Sequence, residues 1–348
     1  MKFEYSDDQI EIRAVARKML GETSDQSGVY DNDLWQAFVR DMELLSLHVN
    51  EEEGGAGGSL LELSILFSEF GRAVAPLPAF ESVAAVESVR VTDFGSEAPV
   101  EWAQMITGDR RIGFAIVSDL LGPSSSAPTT VQKAATIDFC IGDTPDIVVV
   151  RCGTNGVALI DTSAPGVLVE PTVSLDPRRA TCRIILDNAA IAIGVLDPLA
   201  RQYLDSFVRL LLASELEGIS AACLDKAVEY AKLREQYGRL IGSFQAVKHL
   251  CANMAIELDG LQPAVMYAAL ALNEKYEDSA IANRVAFATA LETADTCSSG
   301  NLQVHGGLGF TQEATPHLYF KRMVFDSSLL TSPTEEFLGI AEAVGISA

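Results

Sequence analysis

Three short stretches of this sequence carry the residues best suited to holding an anionic ligand. Arg234-Glu-Gln-Tyr-Gly238 closes one apolar helical pattern, Gly242-Ser-Phe-Gln245 opens the next, and Gln303-Val-His-Gly-Gly-Leu-Gly309 breaks a third into a glycine cluster. An arginine at a helix boundary can make two parallel hydrogen bonds to a phosphate, and an amide side chain both donates and accepts, as a ribose or adenine requires. For each alone there is a plainer explanation, since an arginine at a helix C-terminus also answers the negative pole of the helix dipole. The glycines weigh more. They let backbone N–H groups approach a ligand closely, and a merely structural helix end has no need of three. His305 sits inside that cluster. His48, His249, His305 and His317 are too scattered along the chain for a metal site.

Helices and a small β region must position these groups. Apolar residues recur three and four apart over 7–20 and 34–45, and Ser59-Leu-Leu-Glu62 reads as a capping box opening a helix that runs to Gly71, with a further helical pair over 79–106. The loop Glu51-Glu-Glu-Gly-Gly-Ala-Gly-Gly58 has no lysine and three glutamates, so it reads as a loop rather than a phosphate cradle. From 111 to 193 short Val/Ile/Ala runs broken by Gly, Pro and Asp predict strands at 112–118, 135–141, 146–152, 156–161, 166–170 and 180–187. Four long helical segments follow, near 197–234, 243–275, 277–300 and 313–343, the first apolar around much of its circumference as in a bundle. The expected division is a helical domain at 1–110, a β domain at 111–193 and a helical bundle at 194–348.

Composition removes several classes of function. The 348 residues are 48% hydrophobic, enough for a substantial core, and carry a net charge of −23 with no basic patch interleaved with aromatics, which argues against nucleic acid or an anionic membrane as partner. No apolar run is long enough to span a bilayer and Met1–Arg13 is too charged for a signal peptide, so the expected location is cytoplasmic. Six cysteines without metal spacing read as buried reduced thiols.

Taken together and in this order, the ligand-suited segments resemble the C-terminal domain of acyl-CoA dehydrogenases. The family pattern R-x-x-F-G, then F-Q, then Q-x-x-G-G-x-G followed by an acidic residue and a basic pair is matched by Arg234, Tyr237, Gly238, Phe244, Gln245, Gln303, Gly306, Gly307, Gly309, Glu313, Lys321 and Arg322. The stretch from Leu34 through Gly54-Gly55 to Glu69, Gly71 and Pro76-Leu-Pro78 is similar to the family's N-terminal helical domain. The resemblance implies a mainly α protein with a central β barrel and a C-terminal four-helix bundle, assembled as a dimer of dimers, with each FAD spanning two subunits. It assigns the adenosine and pyrophosphate of FAD to Arg234, Gln245, Gln303, Gly306 and Gly307, and the flavin ring to the β domain of the neighbouring chain. It also implies oxidation of an acyl-CoA, in which a carboxylate takes the proton next to the thioester while hydride leaves the next carbon.

Departures from the family pattern shape the rest. The β domain has Val117-Ser-Asp-Leu-Leu-Gly-Pro-Ser-Ser-Ser126 in place of T-E-P-x-A-G-S-D, and Thr136-Ile-Asp-Phe-Cys-Ile-Gly-Asp143 in place of K-x-W-I-T-N. The two positions that carry the family's base hold Thr331 and Val208, with Glu335 as the fallback carboxylate. The expectation is therefore a subunit without its own catalytic base that completes the FAD site of a homologous partner in an α2β2 heterotetramer. Phe244-Gln-Ala-Val-Lys-His249 and Val304-His-Gly-Gly-Leu-Gly-Phe-Thr311 resemble actinobacterial enzymes of this kind that shorten steroid side chains. Two alternatives stay open: a self-sufficient homotetramer using Glu335 or Glu336 as base, and a non-enzymatic scaffold with the same fold.

Overall fold

The computed structural model describes residues 4–21, 30–95, 102–118, 129–153 and 155–346, and the chain divides into two compact units. One comprises Met1–Gly28, Ser59–Ala75 and Ser206–Ala348; the other comprises Val29–Gly58 and Pro76–Asp205.

The first unit is helical. It contains α1 (Asp7–Gly21), α3 (Leu60–Ala73), most of α6 (Pro198–Leu233), α7 (Gln245–Asn273), α8 (Ser279–His305), α9 (Pro316–Ser327) and α10 (Pro333–Ala343). The Ser59–Glu62 capping box is formed, Ser59 accepting from Leu61 N while Glu62 accepts from Ser59 N at 2.8 Å. Arg17 reaches across from α1 to grip both oxygens of buried Glu69 at 2.8 and 2.6 Å. The tightest contact is between α3 and α6. A Cβ on Gly71 would stand 1.9 Å from the Glu215 carbonyl oxygen, and one on Gly218 would stand 1.8 Å from that of Ser68, so the two helices touch backbone to backbone at reciprocal glycines. From 206 to 220 α6 is buried on every side, and its polar residues are paired: Glu215 with Arg322, Glu217 with Ser68 and Gln262, Ser214 with Ser64. Burial at such density is tolerable for charged groups only when they are matched in this way.

The second unit holds α2 (Asn32–Arg40), α4 (Ala79–Arg90), α5 (Trp102–Met105) and six strands: β1 (Ile112–Val117), β2 (Thr129–Ile141), β3 (Ile147–Cys152), β4 (Gly156–Asp161), β5 (Val167–Thr172) and β6 (Thr181–Val195). The sheet order β2-β1-β3-β4-β6-β5, with β2 also paired to β6, closes five strands into a barrel, and β5 pairs with residues 181–186 of β6. Among the described strands, only β1 and β3 run parallel. Ile137, Val148, Val150, Ile160, Ile184 and Ile191 belong to the barrel core, where Cys140 faces Cys182 across β2 and β6. β2 and β6 are longer than their sequence patterns predict, because register shifts in their pairing, one adding a residue in β6 near Lys133 and one adding a residue in β2 between Ile137 and Cys140, interrupt the alternation that marks a strand.

Helix α4 is buried from Ala79 to Val89, and Glu87 organises its polar end. Arg90 donates to both Glu87 oxygens at 2.7 Å, His48 Nε2 lies 3.1 Å away, and a third Arg90 nitrogen reaches Glu53 at 2.8 Å. The glycine loop is thereby tied down by one of its own glutamates. Its glycines serve close backbone approach: a Cβ on Gly55 would lie 2.2 Å from the Val49 carbonyl oxygen.

Candidate functional site

One end of the helical unit gathers the ligand-suited residues. The C-terminal end of α6, the N-terminal end of α7 and the C-terminal end of α8 meet there. Tyr230 stacks on His305 with ring centroids 4.1 Å apart, Gly242 lies against the Ala231 carbonyl, and Gly300 is in contact with Met254 and Leu250. Arg234 follows α6 and starts a hairpin of β7 (Glu235–Gln236) and β8 (Arg239–Leu240). Its two-residue turn, Tyr237 and Gly238, has φ of 54° and 74°, as a twisted tight hairpin demands. Beyond it, the Arg239 guanidinium lies 4.0 Å from the Phe244 ring centroid, and the extended backbone of Phe244 puts Gln245 at the first position of α7.

All five residues assigned to the cofactor, Arg234, Gln245, Gln303, Gly306 and Gly307, are exposed on the chain. Gly306 has φ of 59° and ψ of −140°, a conformation that L side chains avoid, and a Cβ on Gly306 or Gly307 would meet nothing within 4 Å. Packing within the chain does not require a glycine at 307. The Gly306 N–H itself caps α8 on the carbonyls of Leu302 and Gln303, but open space over two consecutive exposed glycines lets a ligand lie close to the backbone, so these residues fit a dinucleotide cofactor. The charge is suitable too. Between 232 and 249 the chain carries four cations, Lys232, Arg234, Arg239 and Lys248, and one acid, Glu235, although its net charge is −23.

A second cluster joins the two positions where a base was sought. Val208 is fully buried on α6 and offers no proton acceptor, but its neighbour Arg209 extends to Glu336 on α10, with Nε 2.9 Å and Nη2 2.8 Å from Oε1. Thr331 donates its hydroxyl to the same oxygen, and Arg284 Nη1 on α8 donates to Oε2 at 2.9 Å. Gly339 makes room for that arginine, since a Cβ there would lie 2.5 Å from Arg284 Nη1. Burial raises the Glu336 carboxyl, but the hydrogen bonds from Arg209 and Thr331 and the charges of Arg209 and Arg284 outweigh it and hold it below the ordinary value. Glu335 is exposed and occupied differently. It accepts from Ser332 N at 2.8 Å and from the Ser332 hydroxyl at 2.9 Å, closing a capping box on α10, and those hydrogen bonds lower its carboxyl.

The sequence held a signal for that box, Ser332-Pro-Thr-Glu335, which has the same S-x-x-E form as Ser59–Glu62. It held none for the Glu336 clamp, whose arginines lie 127 and 52 residues away. Arg322, one of the matched basic pair, is a buried partner of Glu215 at 2.6 Å and of the Ala75 carbonyl at 3.2 Å, not a surface cation. Most of Val117–Ser126, the segment expected against the flavin ring, lies outside the described residues. Among those described, no group of three His, Cys, Asp or Glu is placed to hold a metal ion, and no helix is long and apolar enough to cross a membrane.

The sequence matches the acyl-CoA dehydrogenase C-terminal domain over residues 204–332 and the acyl-CoA dehydrogenase N-terminal domain over residues 6–101. It is 33% identical over 294 residues to acyl-CoA dehydrogenase FadE34 of Mycobacterium tuberculosis, covering 83% of this chain but 39% of that protein's length. To acyl-CoA dehydrogenase IpdE2 of the same organism it is 32% identical over 311 residues, covering 88% of this chain and 85% of the relative. Solved structures with the same fold include the ChsE4-ChsE5 complex from Mycobacterium tuberculosis, with a TM-score of 0.84 at 21% identity over the full length of both chains. A variant of the Tcur3481-Tcur3483 steroid ACAD gives 0.81 at 23% identity, covering 97% of this chain and 98% of that one. This chain belongs to the acyl-CoA dehydrogenase family, whose members are FAD-dependent oxidoreductases.

Proposed function

We propose that this chain is the non-catalytic subunit of a heteromeric acyl-CoA dehydrogenase, contributing one half of an FAD site to a homologous partner in an α2β2 assembly. The functional division is taken as 1–110, 111–193 and 194–348. In this reading Arg234 pairs with the pyrophosphate, Gln245 and Gln303 bond the adenosine, and Gly306 and Gly307, having no side chains, let the cofactor lie close against the backbone. When bound, FAD accepts the hydride that leaves the carbon β to the thioester. The proton on the α carbon then needs a base.

The observation that carries the proposal is the fate of the base position. Val208 and Thr331 have no basic group, and the carboxylate that stands between their segments, Glu336, is held by two arginines and a hydroxyl. Charge-assisted bonds of this kind stabilise the ionised form and occupy the oxygen that would take the proton. The partner supplies both base and ring site. The substrate class is a CoA thioester, and the likeness of Phe244–His249 and Val304–Thr311 to steroid side-chain enzymes supports a steroid acyl group. The heteromeric organisation named for ChsE4-ChsE5 and Tcur3481-Tcur3483 supports a partner of the same fold.

Flavin stoichiometry tests this. Purified together with its partner, the complex is expected to hold one FAD for every pair of unlike chains. One FAD per chain, or a yellow and active preparation of this chain alone, would favour the self-sufficient homotetramer and overturn the proposal.

A further inference from the structure

His305 is absorbed by none of these roles, yet it immediately precedes the open glycine turn. Its Nδ1 lies 2.9 Å from the carbonyl oxygen of Asn301, one turn back on α8. A carbonyl oxygen can only accept, so Nδ1 carries the proton. Burial, opposed by that hydrogen bond and reinforced by the Lys226 ammonium, lowers the imidazole below its ordinary value, which makes the neutral ring the form present at pH 7. Nε2 is then a lone-pair acceptor.

Two further features fix where that acceptor stands. Tyr230 lies against the ring face with an interplanar angle of 19°, so the ring is held by a hydrogen bond at one nitrogen and a stack across its face. The ring remains partly accessible, and no described residue donates to Nε2. A neutral, oriented, unpartnered acceptor directly beside Gly306, whose own surroundings are open, has the character of a binding group.

We propose that His305 belongs to the cofactor site, with Nε2 accepting a hydrogen bond from the adenosine half of FAD, either the adenine amino group or the ribose 2′-hydroxyl. The inference rests on the reading of Arg234, Gln303 and the glycines as that half-site. Tyr230 and Asn301 act through His305 as positioning residues.

ADP is a suitable probe because it carries both donors and the pyrophosphate without the flavin. IDP lacks the amino group, and 2′-deoxy-ADP lacks one hydroxyl. Titrated calorimetrically into the complex with its partner, wild type is expected to bind ADP about 5- to 10-fold more tightly than whichever analogue lacks the donor that His305 meets. His305→Phe keeps a ring to stack on Tyr230 but removes the acceptor, and is expected to abolish that preference. Because the readout is a ratio within one variant, general loss of stability does not imitate it. Discrimination retained in His305→Phe, or absent from wild type against both analogues, overturns the assignment while leaving the half-site intact, provided Arg234→Ala still weakens ADP. Failure of wild type to bind ADP at all would remove the half-site reading and this inference with it.

Discussion

A carboxylate that is to take a proton from carbon must keep a lone pair aimed at it, and at the residue scale Glu336 does not meet that condition. Oε1 alone takes two nitrogens of Arg209 and the Thr331 hydroxyl. Two guanidinium groups facing one buried carboxylate leave the cluster with a positive balance, so Glu336 is needed where it is to offset them. Glu87 performs the comparable task on α4, and there the energetic consequence can be given a sign. Burial raises its carboxyl, but His48 and Arg90 more than compensate and bring it from the ordinary 4.5 down to about 2. Its folded-state value is the lower one, so its contribution is complete above the unfolded value and is lost as pH falls from about 4.5 through about 2. At neutral pH the contribution amounts to roughly 3 kcal/mol. Urea midpoints measured from pH 6 down to pH 3 should therefore fall more steeply for wild type than for Glu87→Gln, and equal acid slopes would show that Glu87 is not the group being titrated.

At the scale of elements, α3 and α6 meet backbone to backbone at reciprocal glycines, which leaves neither helix free to shift. Alanine at 218 would place a methyl group 1.8 Å from the Ser68 carbonyl oxygen, and neither backbone can yield without shifting a buried helix. Gly218→Ala should cost at least about 3 kcal/mol, at the upper end for overpacking, and should appear as lost soluble yield or a much lower denaturant midpoint. A midpoint equal to wild type would mean that the helices are further apart than described. The glycine itself is visible in the sequence, but only as an unexplained break in a helical pattern, because its reason is an oxygen 150 residues away. The same limit runs through the rest of the fold. The long helices are legible from their periodicity, and α7 continues through Pro263 as the apolar pattern requires. The 313–343 pattern, by contrast, reads as one helix and is two. It breaks between Ser327 and Pro333, where Ser332 caps α10. Among the site residues, the glycine cluster and Arg234 declare themselves by type and spacing, whereas Arg209, Arg284 and Glu336 are three unremarkable charges until the bundle brings them together.

For the whole molecule the question is which chain of the assembly moves the proton, and the structure gives the two candidate carboxylates unequal value as tests. Glu335→Gln removes only part of an exposed helix cap, so it should leave folding and flavin content unaltered. Glu336→Gln leaves Arg209 and Arg284 without their counter-charge, so loss of stability, and with it of FAD, is expected before any question of chemistry arises. Turnover must accordingly be expressed per bound flavin. In a complex where the partner holds the base, both glutamine variants should retain turnover per flavin close to wild type, and replacing the partner's glutamate should abolish it. If either carboxylate of this chain is the general base, its loss should lower turnover at full FAD occupancy by at least about 10². Glu335→Gln decides cleanly, since its folding penalty is small. Glu336→Gln decides only on the flavin-loaded fraction, and a hundredfold fall there would make this chain the catalyst and require Arg209 and Arg284 to release Glu336 during each turnover.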